Sequence, residues 1–513
     1  MASVRIQSAL ISVFYKDGLE PIIQQLAAAG IVIYSTGGTY DFITNLGHSA
    51  IRVEDITGYP SIFGGRVKTL HPKVFGGILH RRHLAADLAE ATTHQIPAID
   101  LVIVDLYPFA ETIAAGGSDA ECVEKIDIGG VSLLRAAAKN HADVLVISSK
   151  NQYHALEQIL VQDSASTTLE SRRKYAAQAI ATCSLYDLEI SCFLAQKPFP
   201  DVFATLYGES TPLRYGENPH QKAAFLGPLH ELFTQLNGKE LSYNNLLDLD
   251  AGLSLMRDFE AETAAGSTTC AILKHNNACG LAMAASPLAA WDMALAADPV
   301  SAFGGVIFLN AEIDLETALA IDKIFFEILV APSFAVDALA LLRGKKNRIL
   351  LQLVPSPTKT WGLRSMLNGL ALQENDLSID AEADMKVVTV AQPSPEQRQA
   401  MLFAARVCKH TRSNAIVLAE GGRLIASGMG QTSRVDALQQ AISKAKGFNF
   451  ALERCVMASD AFFPFPDCVE IAHKAGVMAV IQPGGSIKDQ DSVAYCNLHG
   501  IVMITTGRRH FKH

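Results

Sequence analysis

Three short stretches concentrate residues able to do chemistry on a small anion. Residues 64–71 read GGRVKTLH and set Arg66, Lys68 and His71 behind two glycines. Residues 126–130, IDIGG, put the carboxylate of Asp127 ahead of a second glycine pair, and residues 136–141, AAAKNH, place Lys139 and His141 in an alanine-rich helical pattern. Glycines let the backbone approach a ligand closely, and clustered cations fit a phosphate or a developing oxyanion. Lys68 can neutralise such an oxyanion, and Arg66 can fork onto a phosphate or a carboxamide. A carboxylate in an apolar setting must be paired or functional. Lys139 is the candidate partner of Asp127, with a structural salt bridge as the plainer alternative.

Further positions fit this chemistry. Ser35, Thr36, Gly37, Gly38 and Thr39 join an apolar β-branched run to a helical pattern. A helix start of this kind binds phosphate through its free N–H groups; an ordinary turn with a threonine cap is the alternative. Tyr107, in LYPF, ends the apolar run 101–106, and open α/β sheets bind ligands at strand C-terminal ends. Farther on, Lys274 and His275 follow the apolar residues 271–273. An imidazole beside an ammonium favours its neutral form and can move protons near neutrality. Residues 460–467, DAFFPFPD, offer aromatic faces to a flat heterocycle. The GMGQTSR of residues 428–434 lacks the last glycine and the acid of a dinucleotide site, and no GxxxxGK[ST] occurs. The histidines at 71, 80 and 83 are too loosely spaced for zinc, so no metal site is expected.

The elements that must hold these residues are α/β. Apolar runs at 31–35, 101–106 and 144–148 alternate with helical patterns, which predicts a parallel sheet flanked by helices. Two prolines after a long helical run at 170–193 mark a domain boundary near 197–211. Beyond it, strands are expected at 305–309, 415–419, 424–427, 477–481 and 501–505, with a hairpin turn at Gly421–Gly422. Helices are expected at 315–329 and 435–446. This second part reads as mixed α/β, and its length suggests two subdomains and a duplicated unit, without a convincing internal sequence repeat. The chain has 513 residues and a net charge of −9, which argues against a polyanion binder. Nine cysteines without a CxxC pair, no signal peptide and no membrane-length apolar run predict a soluble cytoplasmic protein with free thiols.

Taken in order, STGGT, GGRVKTLHP, LYPF, IDIGG with LLRAAAKNH, then LRYGENPHQ, LKH, SAFGG, SNA, GQTSR, SDAFFPFPD and QPGGS closely resemble the bifunctional purine-biosynthesis family. That family joins phosphoribosylaminoimidazolecarboxamide (AICAR) formyltransferase to IMP cyclohydrolase. The resemblance covers essentially the whole chain. It implies a methylglyoxal-synthase-like cyclohydrolase domain at 1–198 and a transformylase domain at 199–513. It implies Lys68 and Tyr107 at the oxyanion of ring closure, Asp127 with Lys139 handling protons, and Arg66 and residues 35–39 holding the nucleotide. In the second part it implies Lys274 on the formyl oxyanion and His275 as proton shuttle. Arg214, Tyr215, Asn414, Phe462, Arg509 and His513 then surround the substrates. It further implies 10-formyltetrahydrofolate as cosubstrate, no metal, small-molecule partners only and a homodimer. Three departures stand out. Residues 12–19 read SVFYKDGL where the family reads close to SVSDKTGL, so Phe14 and Tyr15 replace a Ser-Asp pair. Asp105 replaces an asparagine before LYPF, and KHNNACG stands for KHANPCG. The alternatives are a transformylase with an impaired first domain and a non-catalytic nucleotide sensor.

Overall fold

The computed structural model describes residues 3–196 and 210–513. Two compact units divide the chain, Met1–Leu206 and Tyr207–His513. All but the last two residues of the expected boundary at 197–211 lie outside the described residues.

The first unit is built on five short apolar strands. Across the sheet they run Ile51–Arg52, Val32–Ser35, Ser8–Ser12, Leu101–Val104 and Leu145–Ile147, all parallel. Parallel strands covered on both faces read as continuous hydrophobic runs, and Leu101–Val104 is buried at every position. Helix Leu19–Ala28 buries Leu19, Ile22, Ile23 and Leu26, a stripe at helical spacing. Helix Gly129–Lys139 and the long helix Leu169–Ala195 contribute Leu133, Leu134, Ala137, Ala179 and Cys183 to the same core. The sheet order reverses between Ser8–Ser12 and Leu101–Val104. Parallel direction then brings the segments after Ser12, Ser35 and Val104 to one edge at this switch point, where open α/β sheets bind ligands.

The second unit is organised around a twelve-stranded mixed sheet. Its first half runs in the chain as strand Phe233–Asn237, helix Tyr243–Arg257, hairpin strands Thr268–Lys274 and Asn277–Ala284, then helix Pro287–Ala297. Strand Val306–Leu309, helix Leu315–Ile321, strand Ile328–Ala331, helix Val336–Arg343 and strand Ile349–Leu353 complete it. The second half repeats that order from strand Lys386–Val387 through helix Pro395–Lys409, strands Ile416–Glu420 and Arg423–Gly428 and helix Arg434–Gly447. It ends with strand Val456–Ser459, helix Asp467–Lys474, strand Ala479–Gln482, helix Asp489–His499 and strand Val502–Thr505. In both halves the first strand pairs antiparallel with the last, and the last three are parallel. The halves meet where Ala282 pairs with Arg423.

The two expected subdomains are therefore one topology used twice. The helix expected at 315–329 stops at Ile321, and the apolar residues of Ile328–Ala331 form a buried strand instead. A short apolar run does not distinguish the two by periodicity. All nine cysteines are free thiols, eight of them buried and Cys192 exposed.

Candidate active site

A cleft of about 560 Å³ opens at the switch point of the first unit. Its floor comes from the ends of the parallel strands and its rim from the loop after Ile62. That loop closes on itself through an Ile62–Val67 bridge. Phe63, Gly64 and Gly65 turn successively at φ 54°, 67° and 97°. Two glycines relieve most of the strain of such a left-handed run. The turn delivers Arg66 and Lys68 to the cleft. The Lys68 ammonium stands 3.9 Å from where a Cβ on Gly37 would be, so a cation and the free N–H groups of helix Gly37–Asn45 share one spot.

The threonines and Ser35 are used differently. Thr36 and Thr39 line the cleft with Gly38. The Thr39 hydroxyl donates to the Val13 carbonyl at 2.9 Å and accepts the Val13 N–H at 3.2 Å. Ser35 is fully buried and donates to the Ile11 carbonyl at 2.8 Å, so it ties two strands together instead of facing ligand.

Asp127 sits directly before helix Gly129–Lys139. Its Oδ1 accepts the Gly130 N–H at 2.6 Å, and its own N–H donates to the Tyr186 hydroxyl at 2.8 Å. A Cβ on Gly130 would lie 2.4 Å from Asp127 Oδ2, which is why glycine follows at that spacing. Burial raises the Asp127 carboxyl, opposed by the Gly130 and Tyr107 N–H groups and then by the Lys68 ammonium. Burial also raises Tyr107, with the Asp127 charge adding to it. Lys68, Tyr107 and Asp127 thus share one electrostatic environment. Lys139 does not join them. It is exposed at the far end of the helix, roughly 15 Å along the axis at 1.5 Å per residue, so the anticipated Asp127–Lys139 pair is absent. Arg66, on the rim, pairs with Glu124. His71 caps helix Pro72–Leu79 by accepting the Lys73 N–H at 3.2 Å.

One cleft residue, Lys16, escaped the reading from sequence alone, and Asp105, expected only as a departure from the family pattern, lines the cleft with it. Lys16 lines the cleft and donates to the Phe14 carbonyl at 3.1 Å and to the Val13 carbonyl. Burial lowers its ammonium, helped by neighbouring Lys68 after partial relief from Asp105. Asp105 accepts the N–H of Phe14 on Oδ1 and that of Tyr15 on Oδ2, the latter at 3.0 Å.

In the second unit Lys274 and Asn277 close the first hairpin, with His275 and Asn276 at φ 53° and 66° between them. Positive φ at both central residues is the two-residue turn that matches strand twist. Lys274 Nζ donates to the Phe303 carbonyl at 2.8 Å. Asp248 accepts the Asn276 N–H at 2.7 Å, and burial raises its carboxyl while His275 opposes the rise. The Asn277 amide oxygen accepts the Arg412 N–H at 3.0 Å, joining the hairpin to the segment that carries Asn414. There Asn414 Nδ2 donates to the Gln431 carbonyl at 2.9 Å, the Ser413 N–H donates to the Lys512 carbonyl at 2.9 Å, and the Ser413 hydroxyl donates to Asp460. Arg434 holds the other oxygen of Asp460 at 3.0 Å.

One bonded chain therefore connects the Lys274–His275 turn, Asn414, the tail with Arg509 and His513, and the segment before Phe462. Arg509 lies 4.2 Å over the Phe511 ring, and Phe511 packs against His513 at 5.3 Å. Phe462 is 37% exposed. Arg214 and Tyr215 lie 5.5 Å apart in a separate loop, bound to helix Tyr243–Arg257 by Asn244 Nδ2 on the Glu217 carbonyl at 3.2 Å. Asp248 stands one turn on from Asn244. Asp248 carried no local signal, and the motifs that hold Asp460 and Arg434 did not show that the two pair, because each finds its partner far away in sequence. Among the described residues no group of three or more His, Cys, Asp or Glu could hold a metal ion, and no helix is long and apolar enough to cross a membrane.

A switch-point cleft with a phosphate-type helix start and a second unit of duplicated α/β topology define a two-site enzyme of small anionic substrates. A family model described as the AICARFT/IMPCHase bienzyme matches residues 137–444, and one for MGS-like domains matches 18–132. The chain is 54% identical over 511 residues to the bifunctional purine biosynthesis protein PurH of Bacteroides thetaiotaomicron, covering 100% of this chain and 99% of that one. It is 46% identical to the protein of that name from Chloroflexus aurantiacus, with 99% of each covered. For Myxococcus xanthus the identity is 43%, over 98% of this chain and 100% of that one. The chain belongs to the bifunctional AICAR transformylase/IMP cyclohydrolase family of purine biosynthesis.

Proposed function

We propose that the first unit closes formyl-AICAR to IMP and that the second transfers the formyl group of 10-formyltetrahydrofolate to the 5-amino group of AICAR. The observation that carries this division is the convergence of Lys68, Tyr107 and Asp127 on one cleft, apart from the Lys274–His275 turn in the other unit. We assign ring closure to residues 1–198 and formyl transfer to 199–513.

Ring closure needs no outside nucleophile, because the substrate's carboxamide nitrogen attacks its own formyl carbon. The protein must hold the two groups in contact, stabilise the oxyanion and move protons. Thr36, Gly37, Gly38 and Thr39 hold the phosphate with Lys16, and Arg66 serves the rim. Lys68 and Tyr107 stabilise the oxyanion, and Asp127 takes the carboxamide proton. Ser35 ties two strands together, and Lys139 stands exposed at the far end of its helix.

Formyl transfer faces a poor amine nucleophile. Lys274 polarises the formyl oxygen, and His275, on a turn held by the half-buried Asp248 through the Asn276 N–H, takes the amine proton. Asn414, Phe462, Arg509 and His513 surround the reacting groups, with Arg214 and Tyr215 on the nucleotide. Formyl transfer moves a formyl group and protons, and ring closure forms one C–N bond and expels the formyl oxygen as water, steps that acid–base groups and an oxyanion partner can serve. The family resemblance supports a cytoplasmic homodimer.

Lys274→Ala or His275→Ala is expected to abolish formyl transfer while ring closure of supplied formyl-AICAR persists. Lys68→Ala does the reverse, lowering cyclisation by about 10²–10³-fold. Separate assays of tetrahydrofolate release and IMP formation read both, and loss of both activities in either folded variant refutes the division. Phe14 and Tyr15, standing where the family pattern has a Ser-Asp pair, favour a second reading, a transformylase with a silent first unit. Formyl-AICAR accumulating in the unmodified enzyme would select it.

A further inference from the structure

The cleft of the first unit is polar at its floor and apolar at its mouth. Lys16, Lys68 and the helix start account for a phosphate, and Tyr107 with Asp127 for the reacting groups. Neither set provides a face for the heterocycle between them. The apolar lining does. Phe14, Val123, Ile126 and Ile128 all line the cleft. Val123 and Ile128 are 44% and 58% exposed, so these side chains face the opening instead of filling the core. Phe14 meets Tyr107 edge to face with ring centres 5.8 Å apart, which sets it beside the proposed reacting centre. Lys125 Nζ lies 5.3 Å from the Phe14 ring, so the 123–128 segment runs beside that ring.

The backbone under Phe14 is held from an unusual direction. Both oxygens of Asp105, at the end of the neighbouring parallel strand, are occupied by consecutive N–H groups, Phe14 on Oδ1 and Tyr15 on Oδ2. Tyr15 is fixed again by its hydroxyl, which donates to Glu111 at 2.6 Å. An exposed aromatic on a turn anchored at three points is presented, not left over.

We propose that Phe14 is a substrate-contacting residue of ring closure whose ring covers the imidazole of the nucleotide, and that Asp105 is its positioning residue, acting by fixing the 14–15 turn. The proposal rests on the assignment of this cleft to the cyclohydrolase. An aromatic face on a flat heterocycle supplies binding that needs no hydrogen-bond partner. The same contact is made before and after ring closure, so its loss raises KM more than it lowers kcat.

The test uses the full-length enzyme with supplied formyl-AICAR, and IMP affinity measured by calorimetry. Phe14→Leu removes the aromatic face and keeps the bulk. It is expected to raise KM and the IMP dissociation constant about tenfold, the size of one aromatic contact, with kcat within about twofold. Phe14→Tyr restores both. Asp105→Asn offers an acceptor to only one of the two N–H groups and shifts KM in the same direction. Combined with Phe14→Leu it adds nothing further, because it acts through the ring. Unchanged KM and IMP affinity in Phe14→Leu overturn the contact, and additive effects in the double variant overturn the role of Asp105. Lys68→Ala run alongside separates the two assumptions. Its failure to slow cyclisation refutes the cleft assignment itself, whereas its success with an unaffected Phe14→Leu refutes only the aromatic contact.

Discussion

At the scale of the residue, Asp127 meets two opposed demands. Burial pushes its carboxyl up, while backbone N–H groups and Lys68 pull it down, and the rise wins. A raised carboxyl keeps its proton to a higher pH than an ordinary aspartate, at about 3.9. The contribution of that group to stability is present at low pH and fades as pH climbs through its folded value. Its ionised form at neutrality is therefore held at a cost to the fold. If that ionised form takes the carboxamide proton, ring closure falls as pH drops through the raised value. The acid limb of kcat/KM for cyclisation is expected above the usual aspartate range, and Asp127→Asn should erase the limb with most of the activity. A limb at the ordinary position, or one surviving in Asp127→Asn, would assign the proton elsewhere. Residue types were readable in the chain to this depth: Arg66, Lys68, Tyr107 and Asp127 all reach the cleft. Lys139 and Ser35 were not readable, because proximity in sequence does not say which end of a helix, or which face of a strand end, a side chain occupies.

At the scale of the element, the glycine pair after Asp127 is what lets a helix begin against a carboxylate. A Cβ on Gly130 would lie 2.4 Å from Asp127 Oδ2 and 2.9 Å from its Cγ, so Gly130→Ala must displace the carboxylate. A shift of that order costs about 10²-fold in a positioned reaction. Cyclisation is expected to fall by about that factor while formyl transfer holds, and normal cyclisation would show that Asp127 tolerates a move. The strands of the first unit were legible because parallel, doubly covered strands are unbroken apolar runs. The duplication in the second unit was legible only from its length, since a repeated topology needs a repeated burial pattern and no repeated residues. Traces remain where packing is tight. Gly280 and Gly428, on the second hairpin strand of each half, would set a Cβ 2.2 and 1.7 Å from the carbonyls of Ala294 and Ala437 on the helix that follows. Each lets its helix lie close against the sheet, but at a different register: Gly280 pairs with Ile272 inside its strand and Gly428 with Ile416 at the end of its own.

At the scale of the whole molecule, the proposed division gives each unit one of the two chemistries, with formyl-AICAR the product of one and the substrate of the other. The order of motifs made this organisation legible from end to end, whereas the bonded network joining Lys274, Asn414 and the C-terminal tail appears only once the sheet brings distant segments together. The central claim is that the sites are separate and share only a diffusible intermediate. The most direct test mixes Lys68→Ala protein with His275→Ala protein, supplies AICAR and 10-formyltetrahydrofolate, and follows IMP. Neither variant makes IMP at an appreciable rate alone. The mixture is predicted to make it after a lag in which formyl-AICAR builds up, with tetrahydrofolate released from the start. A mixture that stays inactive, from two folded variants that each retain their other activity, would contradict the account.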